Sequence, residues 1–417
     1  MPAAGTGRVP AAGTARVLAV WAATRTVLLL FVLGVLDFPG QDVTGDVSVI
    51  YRGWYEVLRQ GAFPAGDVTW QYPPAAALAV LSPAALPFLG YATAFFALAA
   101  LADLAVLCLL LRAARRPGRS PAGAWAWTAG AVLLGPTLYA RYDVMVTAVA
   151  VAALLAGERR PRALGALAAF GALLKVWPVL LLTGVRGAAG RRAWTAAAAT
   201  AAAGLSVCAL AVPGALSFLT AQRDRGTEVE SPAALVLHVA RHFGWSGQVL
   251  LNYGSMEFLG PYVGVVTAAA PVLTGVALGW LLLWRVRAQD HGPHTPADAA
   301  FTAVLLFTVT SRVLSPQYLV WLVGLGAVCL SFRDGRMRRP AGLVLAAALV
   351  TVLEFPVFFA DVVVSDALGL TLLFLRNGLL VAACAAAGRE LWRGTVPRRA
   401  DAPAPDRTTR PRQPTTP

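Results

Sequence analysis

The sequence predicts an all-α, polytopic membrane protein of about ten to twelve transmembrane helices. The chain of 417 residues is 58% hydrophobic and only 13% charged, and its mean hydropathy is +0.64, whereas a soluble domain carries roughly a quarter charged residues. Apolar runs close to the roughly 20 residues that a span needs recur along most of its length. The formal charge of +14 would suit nucleic acid only if the basic residues gathered on one exposed face. They lie scattered between apolar runs instead, so nucleic acid is excluded as a partner. All four cysteines, Cys108, Cys208, Cys329 and Cys384, sit inside apolar stretches without C-x-x-C or Cys/His spacing. They read as core hydrophobes rather than as a disulfide framework or zinc site.

From the N-terminus, residues 1–16 are rich in Ala, Gly, Pro and Thr and predict a disordered cytoplasmic segment. The run 17–36 is long enough to span and lacks a small-residue cleavage site, so it reads as the first retained helix. Further clear spans are 90–111, 193–212, 262–284, 316–332 and 366–388, with shorter ones at 122–139, 143–157, 298–311 and 340–355. Residues 391–417 form a basic, Pro/Thr-rich tail that predicts cytoplasmic disorder. The transmembrane body is thus expected over 17–390, with long outer loops at 37–72 and 213–261.

Two apolar segments are interrupted, 73–88 by Pro73, Pro74, Pro83 and Pro87, and 163–185 by Pro178. Cytoplasmic loops collect Arg and Lys. The arginine clusters around Arg112–Arg119, Arg159–Arg162, Arg186–Arg192, Arg285–Arg287, Arg333–Arg339 and the tail from Arg389 fall on one side only if neither segment changes side. The first is therefore expected as a re-entrant or interfacial helix, the second as a broken hairpin, and both termini as cytoplasmic.

In the first outer loop, Tyr51, Trp54, Tyr55 and Leu58 recur at i, i+3, i+4 and i+7 opposite Arg52, Glu56 and Arg59, the pattern of a helix suited to the membrane interface. Asp42 and Asp46 precede it. A carboxylate at headgroup depth is placed either to take a proton from a substrate hydroxyl or to cap the helix. Lys175, the only lysine among 35 basic residues, lies in an apolar run beside Trp177-Pro178. An intramembrane lysine costs about 2.5–3.5 kcal/mol on insertion scales and so marks function, here as a phosphate ligand, or a structural pair with an acid such as Asp103. Arg312, at the outer end of a span, is a second phosphate candidate. Arg25 and Arg376, deep in spans, read as structural ion pairs. His238 and His242 are spaced i, i+4, but without the Glu of H-E-x-x-H they are not read as a zinc site.

The run Gly45-Asp46-Val-Ser-Val-Ile-Tyr51-Arg-Gly-Trp54, continuing to Trp70-Gln71-Tyr72-Pro73-Pro74, resembles the first outer loop of GT-C glycosyltransferases, particularly glycosyltransferase family 87. It is also similar to the mannosyltransferases that begin glycosylphosphatidylinositol. Asp103, Arg141-Tyr142-Asp143, Lys175-Val-Trp177-Pro178 and Ser315-Pro316-Gln317-Tyr318-Leu-Val-Trp321 follow in the family's order. The loop lacks an Asp-x-Asp, and Ala140-Arg141-Tyr142-Asp143 stands where many members have a Gly-Gln-x-Asn-like element.

The resemblance implies a GT-C-type helical bundle in the cell membrane that moves a hexosyl, specifically mannosyl, group from a polyprenyl-phosphate donor to a lipid or glycan acceptor on the extracytoplasmic face. It implies inversion with Asp46 as base, and substrate contacts from Asp42, Tyr72, Arg141, Asp143, Gln317 and Tyr318. No metal or cofactor is assigned, the polyprenyl-phosphate sugar being a substrate. The second outer loop, Gln222-Arg223-Asp224-Arg225-Gly226-Thr227-Glu228-Val229-Glu230-Ser231, resembles the Arg-Gly…Glu-Ser stretch of related bacterial proteins, and reads as headgroup contact or a solvated loop. The alternative function is a transporter or flippase of lipid-linked sugars, which commonly shows internal repeats; none is visible.

Overall fold

The computed structural model describes residues 11–221 and 225–397. Gln222, Arg223 and Asp224 of the second-loop motif, and most of the two predicted terminal segments, lie outside the described residues. Where those segments are described they are helical. Helix α1 already begins at Ala11 (Ala11–Val32), and the last helix continues to Thr395.

After α1, a π-helical turn Asp46–Tyr51 leads into α2 (Arg52–Arg59), followed by α3 (Ala76–Leu81), α4 (Tyr91–Ala114), α5 (Ala122–Val132), α6 (Asp143–Gly157), α7 (Pro161–Leu174) and α8 (Gly187–Ala211). The second outer loop carries the short α9 (Phe218–Ala221) and α10 (Leu235–Arg241). The bundle resumes with α11 (Val263–Arg287), α12 (Thr295–Thr310), α13 (Tyr318–Leu330) and α14 (Arg338–Val352), then α15 (Phe359–Val364) and α16 (Ala367–Thr395). Among the described residues, six helices are long and apolar enough to cross a membrane: Ala12–Val32, Tyr91–Ala114, Gly187–Ala211, Val263–Arg287, Arg338–Val357 and Ala367–Thr395. The remaining apolar helices are shorter. The run 316–332 contributes only Tyr318–Leu330, because Pro316 ends the extended segment before it.

Neither interrupted segment forms a continuous helix long enough to span. Six residues of α3 rise only about 9 Å, far short of a hydrocarbon core of about 30 Å. Helix α7 approaches the cavity described below and stops at Lys175, whose backbone is extended (φ −159°, ψ 124°). Pro178 then starts a 3₁₀ turn, Trp177–Leu182, and the chain returns to where α7 began. There Arg285 Nη2 donates to the Val185 carbonyl at 2.7 Å and Arg186 Nη1 to that of Ala288 at 2.6 Å. Helix α8 sets off again parallel to α7. Gly165 lies so tightly against Ala193 that a Cβ would meet the Ala193 carbonyl, the close approach that small residues permit between membrane helices.

The arginine clusters gather at this end of the bundle. Arg116 and Arg119 pair with Glu158, Arg119 Nη1 donates to Ser331 Oγ at 2.6 Å, and the Gln289 amide donates to Thr395 O at 2.8 Å. Two further ion pairs are set deep in the bundle. Arg25 Nε binds Asp103 Oδ2 at 2.8 Å, with Trp21, Trp127 and Tyr139 also donating to that carboxylate. Arg376 Nη1 faces Glu354 Oε2 at 3.1 Å, and Arg376 and Asn377 both donate to the Glu230 carbonyl, which ties the second outer loop to α16. Cys329 and Cys384 are buried as expected, whereas Cys108 is exposed; it sits on an outward face of α4.

An all-α chain was expected, but the second outer loop adds a small antiparallel sheet in the order β1-β3-β2, with β1 Thr227–Glu228, β2 Gln248–Asn252 and β3 Ser255–Leu259. Tyr253 and Gly254, both at positive φ (49° and 76°), join β2 to β3, the backbone that a two-residue hairpin turn requires. The aromatic face of the π turn and α2 is turned onto protein rather than toward lipid. Tyr51 and Trp54 are buried, with Tyr51 against Phe95 and Tyr142 and Trp54 against Trp70. Burying these rings on the bundle fixes Asp46 at the start of the turn.

Candidate active site

At the end of the bundle opposite the arginines, the two outer loops and the ends of α6, α7, α12, α13 and α14 enclose a cavity of about 1460 Å³. Asp46, Tyr72, Arg141, Lys175, Gln317 and Tyr318 line it, joined by Gln71, Trp177, Arg225, Glu228, Glu230 and Ser315. Gly40 (φ +95°) helps close one wall. Its amide neighbour Gln41 donates to Pro356 O at 3.1 Å, and any Cβ at Gly40 would collide with that carbonyl.

Asp46 is the most open of the charged groups here. Its Oδ2 is 2.9 Å from Arg141 Nη2, with side-chain exposures of 36% and 11%. Arg141 is itself anchored, since Nη1 donates to the carbonyls of Val43 (3.0 Å) and Ala140 (2.7 Å). The guanidinium therefore holds the carboxylate at a fixed place on the cavity wall.

Lys175 pairs with Asp143 (Nζ to Oδ1, 2.7 Å) and not with Asp103, which Arg25 already occupies. The Trp321 indole donates to the same Asp143 oxygen at 2.6 Å. The rings of Tyr72, Tyr142, Tyr318 and Trp321 surround the ammonium at 5.0–5.5 Å, where ring quadrupoles favour a cation. A desolvated ammonium held by one carboxylate and four rings is a preorganised ligand for an anion.

Three expected contacts sit differently. Asp143, with 2% of its side chain exposed, lies outside the cavity lining and pairs with Lys175. Asp42 is outside the cavity lining; its Oδ1 accepts from the amide and hydroxyl of Thr44, both at 2.8 Å, which stabilises the turn before Asp46. Arg312 is also outside the lining, and its carbonyl accepts from the Glu228 amide at 3.1 Å. Besides Arg141, the arginine that lines the cavity is Arg225. It donates to Glu257 Oε1 (2.7 Å), Gln71 Oε1 (2.9 Å) and Ser255 Oγ (2.5 Å), so it joins the sheet to the first outer loop.

Glu228 was legible only as part of a polar motif. The strand pairing buries it at 2% exposure, with Ser315 Oγ donating to its Oε1 at 2.9 Å. Burial raises its carboxyl above the usual range, while Arg225 and Ser315 pull it back down. His238 and His242 bond to the Ser365 hydroxyl and carbonyl respectively, at 2.7 and 2.8 Å, and so fasten α10 to the start of α16.

A search of curated proteins finds no match. Among solved structures, the chain is similar to ArnT from Cupriavidus metallidurans bound to undecaprenyl phosphate. Identity is 16%, the alignment covers 90% of this chain and 77% of that chain, and the TM-score is 0.42. The model of glycosyltransferase family 87 matches residues 70–316, which takes in Tyr72, Arg141, Asp143, Lys175, Arg225, Glu228 and Arg312. This multi-pass helical protein, with its cavity between two outer loops, belongs to glycosyltransferase family 87.

Proposed function

We propose that the chain transfers a hexosyl group, mannosyl in the first instance, from a polyprenyl-phosphate donor to a hydroxyl of a lipid or glycan acceptor. The arginine end is cytoplasmic, by the one-sided distribution of its basic residues, so both termini lie inside and the cavity opens on the extracytoplasmic face. The observation that carries this reading is that one cavity holds both an open carboxylate fixed by Arg141 and an ammonium fixed by Asp143.

In the reaction Asp46 takes the proton of the acceptor hydroxyl as its oxygen attacks the anomeric carbon from the side opposite the phosphate, so the configuration inverts. The bond from the anomeric carbon to the phosphate oxygen breaks, and the electron pair leaves with the polyprenyl phosphate. Asp143 takes one of the three Lys175 N–H donors. The rest of the ammonium meets the charge that develops on the phosphate, where electrostatic stabilisation counts most. ArnT, similar only at low identity, is bound to undecaprenyl phosphate, a donor carrier of this class.

The test is transfer of radiolabelled mannose from polyprenyl-phosphate mannose to membrane lipid and glycan extracts by purified wild type and Asp46→Asn. Transfer by wild type that is lost in the variant supports both donor class and base. Equal transfer by the two removes Asp46 as base, and no transfer by either removes the mannosyl donor.

A further inference from the structure

Three buried polar atoms of cavity-lining residues have no hydrogen-bond partner among the described residues. Glu230 Oε1 faces Arg376 Nη1 at 3.7 Å; the other two are an acceptor, Glu228 Oε2, and a donor, Trp177 Nε1. Both side chains are almost fully buried, Glu228 at 2% and Trp177 at 1% exposure, and both residues line the cavity. A buried polar group left unmatched costs about 1–3 kcal/mol, and such groups are rare enough in native proteins to need a reason.

The surroundings hold each one in place. Glu228 is fixed by its strand pairing to Glu257, by its amide bond to the Arg312 carbonyl and by Ser315 Oγ on Oε1. Trp177 is stacked on Trp321 (centroids 5.2 Å apart, 22° between planes), which is stacked in turn on Tyr318 (4.0 Å).

From this geometry we infer that Glu228 and Trp177 form the sugar-recognition subsite for the donor hexose: Glu228 Oε2 accepts a hydrogen bond from one hydroxyl and Trp177 Nε1 donates to another. A sugar hydroxyl both donates and accepts, so one ring satisfies an orphaned acceptor and an orphaned donor together, and the flat Trp177–Trp321–Tyr318 stack suits its apolar face. The subsite belongs to the donor and not the acceptor because it adjoins the phosphate ligand. Trp177 is two residues from Lys175, and Lys175 and Glu228 lie within each other's field. The inference rests on the donor reading above.

The experiment separates the two. Affinities of undecaprenyl phosphate and of its mannosyl, glucosyl and galactosyl esters are measured by titration on the full chain in nanodiscs without acceptor. The comparison is wild type against Glu228→Ala, Glu228→Gln, Trp177→Phe and Ser315→Ala. Wild type binds at least one hexosyl ester more tightly than bare undecaprenyl phosphate. Glu228→Ala lowers that advantage about 10–100-fold, the worth of a hydrogen bond to a charged group, with little change for bare undecaprenyl phosphate. Glu228→Gln keeps an acceptor oxygen and retains part of the advantage, and Trp177→Phe lowers it about 2–10-fold.

Failure of wild type to bind bare undecaprenyl phosphate overturns the donor reading and this subsite with it. Binding of the bare lipid without any advantage for a hexosyl ester, or an advantage unchanged in Glu228→Ala, overturns the subsite alone. Should Glu228→Ala not hold undecaprenyl phosphate at all, unchanged advantages in both Trp177→Phe and Ser315→Ala overturn the subsite.

Discussion

Asp46 and Asp143 each pair with one cation, yet removing their charges has opposite consequences. Asp46 is 36% exposed beside Arg141 at 2.9 Å, and ion pairs this open contribute about 0–1 kcal/mol. Asp143 is 2% exposed beside Lys175 at 2.7 Å and also accepts from the Trp321 indole. Breaking a buried pair from one side leaves the other charge without compensation and costs about 3–5 kcal/mol. Asp46→Asn is therefore expected to melt within about 2–4 °C of wild type, and to lose about 10²–10⁴-fold in kcat as the general base disappears. Asp143→Asn should melt far lower and lose activity through Lys175. The assay is single-turnover transfer of radiolabelled sugar alongside thermal unfolding of the same preparations. If Asp46→Asn retains turnover within tenfold while folded, it is not the base. If Asp143→Asn melts with wild type, the buried pair does not position Lys175 as argued.

Three further outcomes follow from the same contacts. Lys175→Met should lower kcat/KM for a polyprenyl-phosphate donor about 10²–10³-fold. Lys175→Arg should not restore it, because a planar fork does not fit the ring of four aromatics around the ammonium; full rescue by arginine in the transfer assay would refute this. Arg225→Met leaves Glu257, fully buried, without its cation. It should loosen the sheet, read as faster hydrogen exchange over residues 248–259 with little change in α5 or α13.

His238 gives a pH signature. Arg241 and the His238 Nδ1 both bond to Ser365 Oγ while Nε2 meets the Val229 carbonyl, which satisfies the neutral ring, and burial lowers its pKa from 6.5 to about 4. The unfolded chain binds the proton first as pH falls. Stability is thus full above pH 6.5 and declines by about 3 kcal/mol on the way to pH 4, at 1.36 kcal/mol per pKa unit. Melting curves of His238→Gln should lack that decline, and a decline of equal size in the variant would assign it elsewhere.

Composition and periodicity alone determined that this chain is a helical membrane protein, because covering a bilayer core demands long apolar runs regardless of how they pack. The arginine clusters gave the expectation that both Pro-broken segments turn back, since charge on the wrong side of a membrane is expensive wherever the neighbours lie. The order of the motifs, through the family resemblance, assigned Asp46, Arg141, Lys175 and Tyr318 to one substrate site.

Only the tertiary structure decided the pairing. Lys175 takes Asp143 because α6 and the end of α7 meet there, while Asp103 is saturated by Arg25 and three ring donors. Residue type and spacing leave Asp42 and Asp46 alike, and only the resemblance separated them; in the structure Thr44 claims Asp42 and Arg141 anchors Asp46 on the cavity wall. Arg225 and Glu228 come to that wall through a sheet made of strands two to five residues long. Strands this brief carry almost no hydrophobic pattern, because burial there comes from contacts distant in the chain, and a linear sequence does not display which distant residue will fill the space.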